Sequence, residues 1–347
     1  MMVIGFDGSR AFNKDKTGTE NYSYQLLKAL AKIDQKNTYI VYLRLRFDGT
    51  EKWPRNFKFV TINWLKLWTQ VGLAKQTFQD KLDVLFIPAH TIPLIHKPNL
   101  KTVVTVHDLG SEYLSSMHQL KQRLYLKWIT HYQFRSATKL IAVSKATKND
   151  LVKKMGIDPK KIEVIYEGYD NKLFKPDTKD NSLSTYYLFV GTIQPRKNLE
   201  RIIKAVAKLK QKLVIVGVRG WMSDKIYKLG QKEGVKFLGY VPDEKLPALY
   251  SGAIALVFPS LFEGFGLPLI EAQACGCPVL TSNTSSMPEI AGKGAIYVNP
   301  YSVESIIRGI REIGKVREKL IKFGFENVKR FSWEKCAKET LEVLEKV

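Results

Sequence analysis

The chain has 347 residues, of which 45% are hydrophobic and 25% are charged, and its formal net charge is +22. This composition is typical of a globular protein, and the length is sufficient for two domains with cores of their own. No apolar run approaches the roughly 20 residues that span a bilayer. The N-terminal residues Met2–Asp7 predict a first strand, not a signal peptide. Three cysteines without ligand-like neighbours (Cys275, Cys277 and Cys336) fit buried thiols in a reducing cytoplasm.

The charge excess comes from 55 basic residues against 33 acidic ones, and it is larger in the first half of the chain than in the second. Such a field favours an anionic partner, namely phospholipid, a diphosphate-linked acceptor or nucleic acid. A generally lysine-rich proteome would produce the same excess. The charge therefore indicates a class of partner and does not select one.

The first half of the chain alternates short apolar runs with helix-length segments, which predicts a doubly wound parallel sheet. The strands are predicted at Met2–Asp7, Tyr39–Leu43, Val84–Ile87, Thr102–Val106 and Leu140–Val143. Helices are predicted at Glu20–Lys32 and Gln119–Arg135. Between the first strand and the first helix, Gly18 permits a backbone to approach a ligand closely.

Histidine and aspartate stand at the carboxyl end of a predicted strand, in Val104-Thr-Val-His107-Asp108. Ligands of open α/β sheets bind beyond the carboxyl ends of the strands. A histidine at such a place is as often structural as functional. The residues alone leave both readings open.

A basic and aromatic segment extends over Gln119–Lys161. Apolar residues recur in it at helical spacing: Leu120, Leu124, Trp128 and Tyr132. A helix of this kind would suit an anionic membrane surface. An amphipathic helix that packs on the sheet is the favoured interpretation of the two.

The second half begins after a polar stretch, Phe174–Ser182, which is the best domain boundary in the chain. A strand at Tyr186–Gly191 is followed by two adjacent cations, Arg196 and Lys197, and a helix to Lys210. Cations at a helix N-terminus oppose the helix dipole, and a bound anion would remove that conflict.

The apolar run Ala253–Phe258 predicts a buried parallel strand, and Pro268 suits the first turn of the helix that follows. Two carboxylates, Glu263 and Glu271, therefore bracket a strand–loop–helix junction, the place where ligands of open sheets bind. Backbone N–H groups near Phe265–Leu267 would point at an anion with the helix dipole behind them.

The segment Glu263-Gly-Phe-Gly-Leu-Pro-Leu-Ile-Glu271 resembles the signature motif of the retaining glycosyltransferases of the GT-B fold, in particular family four (group 1). The resemblance covers the whole chain and is densest from 186 to 300. It implies an α/β fold with two Rossmann-like, doubly wound domains that face each other across a cleft. The implied boundaries are 1–168 for the acceptor-side domain, 169–326 for the nucleotide-sugar-binding domain and 327–347 for a closing helix that crosses back to the first domain.

The resemblance implies a retaining, metal-independent hexosyltransferase. It would move a sugar, mannose in this variety, from a GDP- or UDP-linked donor to a hydroxyl of a glycan or of a lipid-diphosphate-linked acceptor, without a further cofactor. The implied catalytic residues are His107, Arg196, Lys197 and Glu263. The implied donor-binding residues are Gly18, Tyr240, Val241, Gly264, Phe265, Gly266, Leu267 and Glu271. Asp108 is implied on the acceptor side, and the chain has no Asp-x-Asp to hold a metal.

Two other functions compete with this one. Another GT-B enzyme, a nucleotide-sugar epimerase or hydrolase, would use the donor without an acceptor. A basic α/β protein could instead bind membrane or nucleic acid without catalysis, although no helix-turn-helix, zinc-knuckle or RNA-binding signature is present. The transferase reading places the protein in polysaccharide biosynthesis in the cytoplasm, peripherally at the inner face of the cell membrane.

Overall fold

The computed structural model describes residues 1–13, 18–47, 49, 51–64, 66–89, 91–109, 130–177 and 186–347. The chain divides into two compact units, Met1–Gly168 together with Trp333–Val347, and Tyr169–Ser332. Most of the predicted helix Gln119–Arg135, residues 119–129, lies outside the described residues, and the predicted membrane contact of the basic segment falls there in part.

The described residues of the first unit contain a sheet of seven parallel strands in the order β3-β2-β1-β4-β5-β6-β7. The strands are β1 (Val3–Asp7), β2 (Thr38–Leu43), β3 (Phe57–Thr61), β4 (Val84–Ile87), β5 (Lys101–Val106), β6 (Lys139–Ala142) and β7 (Ile162–Val164). The strand order reverses between β1 and β4. The edge strand β3 was not predicted, because its apolar residues are interrupted by Lys58.

The helices of the first unit are Gly18–Ile33, Ala74–Gln79, Lys145–Met155 and Trp333–Glu345, and residues 130–136 are also helical. The last helix packs on the first one and buries Trp333, Cys336 and Leu344 in the core of this unit. The closing helix spans Trp333–Glu345, whereas the resemblance implied a start at 327. Residues 327–332 belong to the second unit, where Phe331 lies edge-on to Phe265 at 5.7 Å between ring centroids.

The second unit carries a sheet of six parallel strands, in the order β10-β9-β8-β11-β12-β13, within its described residues. The strands are β8 (Tyr186–Val190), β9 (Lys212–Val216), β10 (Lys236–Gly239), β11 (Ala255–Phe258), β12 (Val279–Ser282) and β13 (Ala295–Val298). The helices are Leu199–Lys208, Asp224–Lys232, Leu246–Ser251, Leu267–Ala274, Met287–Ala291 and Val303–Val328. The strand order reverses between β8 and β11. The predicted α/β class with two doubly wound parallel sheets is confirmed.

Candidate functional site

Three charged side chains meet where the strand order of the second sheet reverses. Arg196 and Lys197 follow β8, and Glu263 follows the neighbouring strand β11. Arg196 Nη1 lies 2.6 Å from Glu263 Oε2, and Lys197 Nζ lies 2.6 Å from Glu263 Oε1. The two oxygens of one carboxylate are thus divided between two cations, at the position where open α/β sheets bind ligands.

Hydrogen bonds between the two loops hold this cluster, which we call the Arg-Glu-Lys cluster (Arg196, Glu263 and Lys197). The Leu261 N–H donates to the carbonyl oxygen of Arg196 at 2.8 Å. Arg196 Nη1 also donates to the carbonyl of Phe262 at 3.1 Å. Because these bonds cross from the β8 loop to the β11 loop, the cluster forms only when both strands are in register.

The residue after the two cations explains how the chain turns into the next helix. Asn198 has a φ of 63°, a left-handed conformation in which asparagine is tolerated. Its side-chain Nδ2 donates to the carbonyls of Pro259 and Pro300 at 2.9 and 2.7 Å. Asn198 therefore fixes the loop that carries Arg196 and Lys197 to the end of β11.

Burial and charge act in opposite directions on Glu263. Burial alone would raise its pKa, but Lys197 and Arg196 beside it hold the pKa at about 2. Lys197 is itself buried, with Nζ 4.9 Å from the centre of the Phe258 ring. The sequence predicted that an external anion would compensate the two cations, and the structure supplies Glu263 as an internal one. Within the cluster, one carboxylate faces two cations.

Glu271 lies one helical turn into Leu267–Ala274, within the same unit. It accepts a hydrogen bond from the hydroxyl of Tyr250 at 2.9 Å. Burial raises the pKa of Glu271 to about 7, although the Tyr250 hydroxyl lowers it. Its carboxyl group therefore changes charge near neutral pH, unlike that of Glu263.

The other predicted donor-binding residues of this unit lie at two strand ends. Gly264, Phe265, Gly266 and Leu267 form the turn from β11 into the helix Leu267–Ala274. Gly266 has a φ of 112°, a backbone conformation that L side chains rarely adopt, so glycine is favoured there. Tyr240 and Val241 follow β10, where the Tyr240 side chain is exposed.

The remaining predicted residues lie in the first unit. Gly18 is the first residue of the helix Gly18–Ile33 and is exposed. His107 and Asp108 follow β5 and are partly buried. The structure therefore gathers Arg196, Lys197 and Glu263 into direct contact, whereas Gly18, His107 and Asp108 belong to the other unit.

Both ring nitrogens of His107 contact protein acceptors. Nδ1 lies 3.2 Å from Glu167 Oε1, and Nε2 lies 2.8 Å from the carbonyl oxygen of Pro88. Burial lowers the pKa of His107, but the Glu167 carboxylate and the Pro88 carbonyl outweigh it, so that the pKa is raised. The predicted hydrogen bond from His107 to a sugar hydroxyl would require one of these contacts to break.

Sequence reasoning missed Glu167. The residue stands in the stretch before the predicted domain boundary. It is 4% exposed in the structure and pairs with a histidine 60 positions earlier. Two carboxylates among apolar residues, in Ile162-Glu-Val-Ile-Tyr-Glu167, are a weak signal that could have drawn attention to it.

In the part of the chain that the structure describes, no group of three or more His, Cys, Asp and Glu side chains is arranged to hold a metal ion. Within the same residues, no helix combines the length and the apolar character that crossing a bilayer requires.

Comparison with known proteins agrees with the geometry. Residues 170–330 match the family described as Glycosyl transferases group 1, and residues 16–173 match Glycosyltransferase Family 4. O-antigen chain mannosyltransferase B of Escherichia coli is 30% identical over 284 residues, which cover 72% of this chain and 73% of that protein. O-antigen chain mannosyltransferase RfbU of Salmonella typhimurium is 32% identical over 255 residues, with coverage of 70% and 69%.

Among solved structures, sucrose-phosphate synthase from Thermosynechococcus elongatus superposes with a TM-score of 0.80 at 21% identity, over 100% of this chain and 99% of that one. This likeness concerns the fold, in which two Rossmann-like units with parallel sheets occur in one chain. Together with the sequence matches over both units, it identifies the chain as a member of glycosyltransferase family 4, group 1, with the GT-B fold.

Proposed function

We propose that this glycosyltransferase moves mannose from a nucleotide-diphosphate sugar to a hydroxyl of a growing glycan or a lipid-diphosphate-linked acceptor, with retention of the anomeric configuration and without a metal ion. The observation that carries the proposal is the Arg-Glu-Lys cluster at the strand-order reversal of the second sheet. Two relatives are named O-antigen chain mannosyltransferases, which supports mannose as the sugar and a surface polysaccharide as the product.

The leaving group explains why two cations are needed. Departure of a nucleoside diphosphate builds negative charge on the β-phosphate and positive character on the sugar. Arg196 and Lys197 stabilise the first charge, in the place of a metal, together with the N–H groups at the start of the helix Leu267–Ala274. Glu263 contacts the donor sugar and offsets the developing positive charge. Because Glu263 already pairs with both cations, it also keeps them in position before the donor arrives.

The nucleoside part of the donor extends over neighbouring strand ends. Glu271 accepts hydrogen bonds from the ribose hydroxyls, and the backbone of Tyr240 and Val241 after β10 contacts the edge of the base. Gly18 in the first unit faces the donor diphosphate, and Asp108 orients the acceptor. The donor is GDP- or UDP-linked, and no further cofactor takes part.

The first test is thermal stabilisation by GDP, UDP, ADP, TDP and their common sugars. A ligand at about 100 times its dissociation constant adds roughly 2.7 kcal/mol of stability, which is readily measured. We expect a shift with one base. Absence of a shift with every nucleotide would contradict the assignment of the donor site.

Substitution of Lys197 by alanine tests the role of the cluster. Loss of one preorganised donor at a developing charge costs about 10²–10³ in rate. We therefore expect turnover in Lys197→Ala to fall by that order, with a weaker thermal shift by the nucleotide. Lys208→Ala is the matched control, because Lys208 pairs with Glu304 at the exposed surface. Wild-type turnover in Lys197→Ala would refute the proposal.

Two further experiments address the acceptor and the location. Product analysis with and without an acceptor separates a transferase from an epimerase or hydrolase. Only a transferase needs the acceptor in order to form a glycosylated product, whereas the other two enzymes convert the donor alone. We place the protein at the cytoplasmic face of the membrane, since the basic first half would be attracted by anionic lipid. Failure to bind anionic liposomes at low salt would contradict that placement.

A further inference from the structure

The His107 ring is held between two oxygen acceptors that carry no hydrogen of their own. The Pro88 carbonyl oxygen lies 2.8 Å from Nε2, so Nε2 carries a proton. Glu167 Oε1 lies 3.2 Å from Nδ1. Imidazole is a stronger base than a carboxylate, so the proton between them resides on the ring. With protons on both nitrogens, His107 would be an imidazolium paired with Glu167.

Three separate segments meet at this pair. Pro88 follows β4, His107 follows β5, and Glu167 lies three residues after β7. The Tyr22 ring packs edge-on against His107 at 4.6 Å between centroids, and its hydroxyl shares a hydrogen bond with Thr105 at 3.2 Å.

The surroundings leave the ring little freedom to turn. The His107 side chain is 12% exposed and that of Glu167 is 6% exposed. Among the described residues, the titratable groups that act on the pair include Asp108, which follows His107, Tyr22, which packs on the ring, and Cys336, which faces Tyr22 and Glu167. Because Tyr22 blocks one side and both nitrogens are bonded, rotation of the imidazole would break at least one hydrogen bond in a buried site and leave a polar group without its partner.

We propose that Glu167 is the positioning residue of the first unit: it fixes His107 as a cation in a single orientation at the carboxyl end of β5. An imidazolium has no lone pair, so His107 does not act as a general base. It contributes a fixed positive charge, and the Glu167 carboxylate next to Nδ1 determines the orientation of the ring that carries this charge. The functional part of this inference rests on the proposed function, in which His107 lies beside the transferred sugar.

The protonation state can be measured without any substrate. The chain has five histidines, so ¹⁵N-histidine labelling gives few ring signals, and the variant His107→Asn assigns the one of interest. In the wild-type protein we expect both His107 nitrogens to carry protons at pH 7.5. In Glu167→Gln the amide can donate to Nδ1, so we expect a neutral ring protonated at Nε2 alone, with a titration midpoint at least one pH unit lower.

A matched carboxylate is available as the control. Glu163 lies on β7, four residues before Glu167, and pairs with Lys139 at 3.5 Å in a half-exposed position. Glu163→Gln removes one negative charge, as Glu167→Gln does, at a position only four residues away in the sequence. Unlike Glu167→Gln, it leaves the contact with His107 intact. We expect it to leave the ring signals of His107 unchanged.

Kinetics then test whether the position matters to the reaction. At metal sites, loss of the partner that orients a histidine ligand typically lowers activity by about 10–100-fold, and we take the same order for Glu167 and His107. We expect kcat of Glu167→Gln to fall in that range, with KM for the donor within twofold, and Glu167→Asp to recover part of the loss. A merely structural role would lower kcat and the melting temperature together, and Glu167→Asp would not restore kcat.

The outcomes are decisive in each direction. A neutral His107 ring in the wild-type protein at pH 7.5, or a ring unaffected by Glu167→Gln, overturns the proposal. Unchanged kcat in Glu167→Gln with a neutral ring overturns its functional part. If Glu167→Gln does not fold, the wild-type spectrum and Glu167→Asp still decide. Absence of transfer by the wild-type protein with any donor would contradict the proposed function instead, because the ring measurement does not depend on activity.

Discussion

Replacing Glu263 by glutamine should destabilise the second unit strongly, because the change removes a buried charge that two cations share. The pKa of Glu263 falls from an ordinary 4.5 to about 2 in the folded protein. A difference of about 2.5 units corresponds to about 3 kcal/mol of stability at neutral pH. Removing one partner of a buried ion pair costs about 3–5 kcal/mol, which agrees.

The pH dependence has a definite sign. Since the folded pKa is depressed, the contribution of Glu263 is complete above pH 4.5 and is lost as the pH falls towards 2. The difference in unfolding free energy between the wild-type protein and Glu263→Gln should therefore shrink from about 3 kcal/mol at pH 7 to about 1 kcal/mol at pH 3.

Hydrogen exchange in urea, read on the amides of β8 and β11, follows the second unit separately from the first. Glu304→Gln is the control, because Glu304 pairs with Lys208 at the exposed surface and its loss should not be detectable. Equal stability of Glu263→Gln and the wild-type protein at pH 7 would show that the Arg-Glu-Lys cluster does not form in solution. A difference that is the same at pH 3 and pH 7 would refute its electrostatic origin.

Two other predictions concern the same unit. Burial raises the pKa of Glu271 to about 7 despite the hydrogen bond from Tyr250. Because ribose hydroxyls donate best to the ionised carboxylate, nucleotide affinity should increase with pH by up to about tenfold per unit below pH 7. Above pH 7 the affinity should be constant. Calorimetry at several pH values checks this, and Glu271→Gln should abolish the dependence. Asn327 Nδ2 donates to Gln273 Oε1 at 2.8 Å in the core, so Asn327→Ala should cost about 1–3 kcal/mol in urea unfolding, whereas Asn283→Ala at an exposed position should cost little.

The second unit was the more predictable one from its sequence. Its strands are apolar runs such as Ala253–Phe258, and Gly266 and Pro268 mark the turn and the helix start by their backbone requirements alone. These signals are local, because a buried parallel strand must be apolar on both faces. The candidate residues Arg196, Lys197 and Glu263 could be chosen for the same reason, since they stand beside strand ends.

Contacts between distant segments could not be predicted in this way. The approach of Glu263 to both cations depends on the register of β8 and β11, which no local pattern contains. Glu167 reaches His107 only because β7 and β5 lie on either side of β6 in one sheet. The edge strand β3 has one weakly buried face, so Phe57–Thr61 lacks the apolar signature of a central strand.

The order in which the chain leaves and re-enters the first unit has a consequence for its synthesis. The second unit, Tyr169–Ser332, is a continuous segment, whereas the first unit is completed only by Trp333–Val347. During translation, every residue of the second unit is therefore synthesised before the helix Trp333–Glu345, which packs on Gly18–Ile33. Until then the apolar surface that receives Trp333 and Leu344 stays uncovered. Loss of the last fifteen residues would thus leave the second unit whole and expose the core of the first to aggregation and proteolysis.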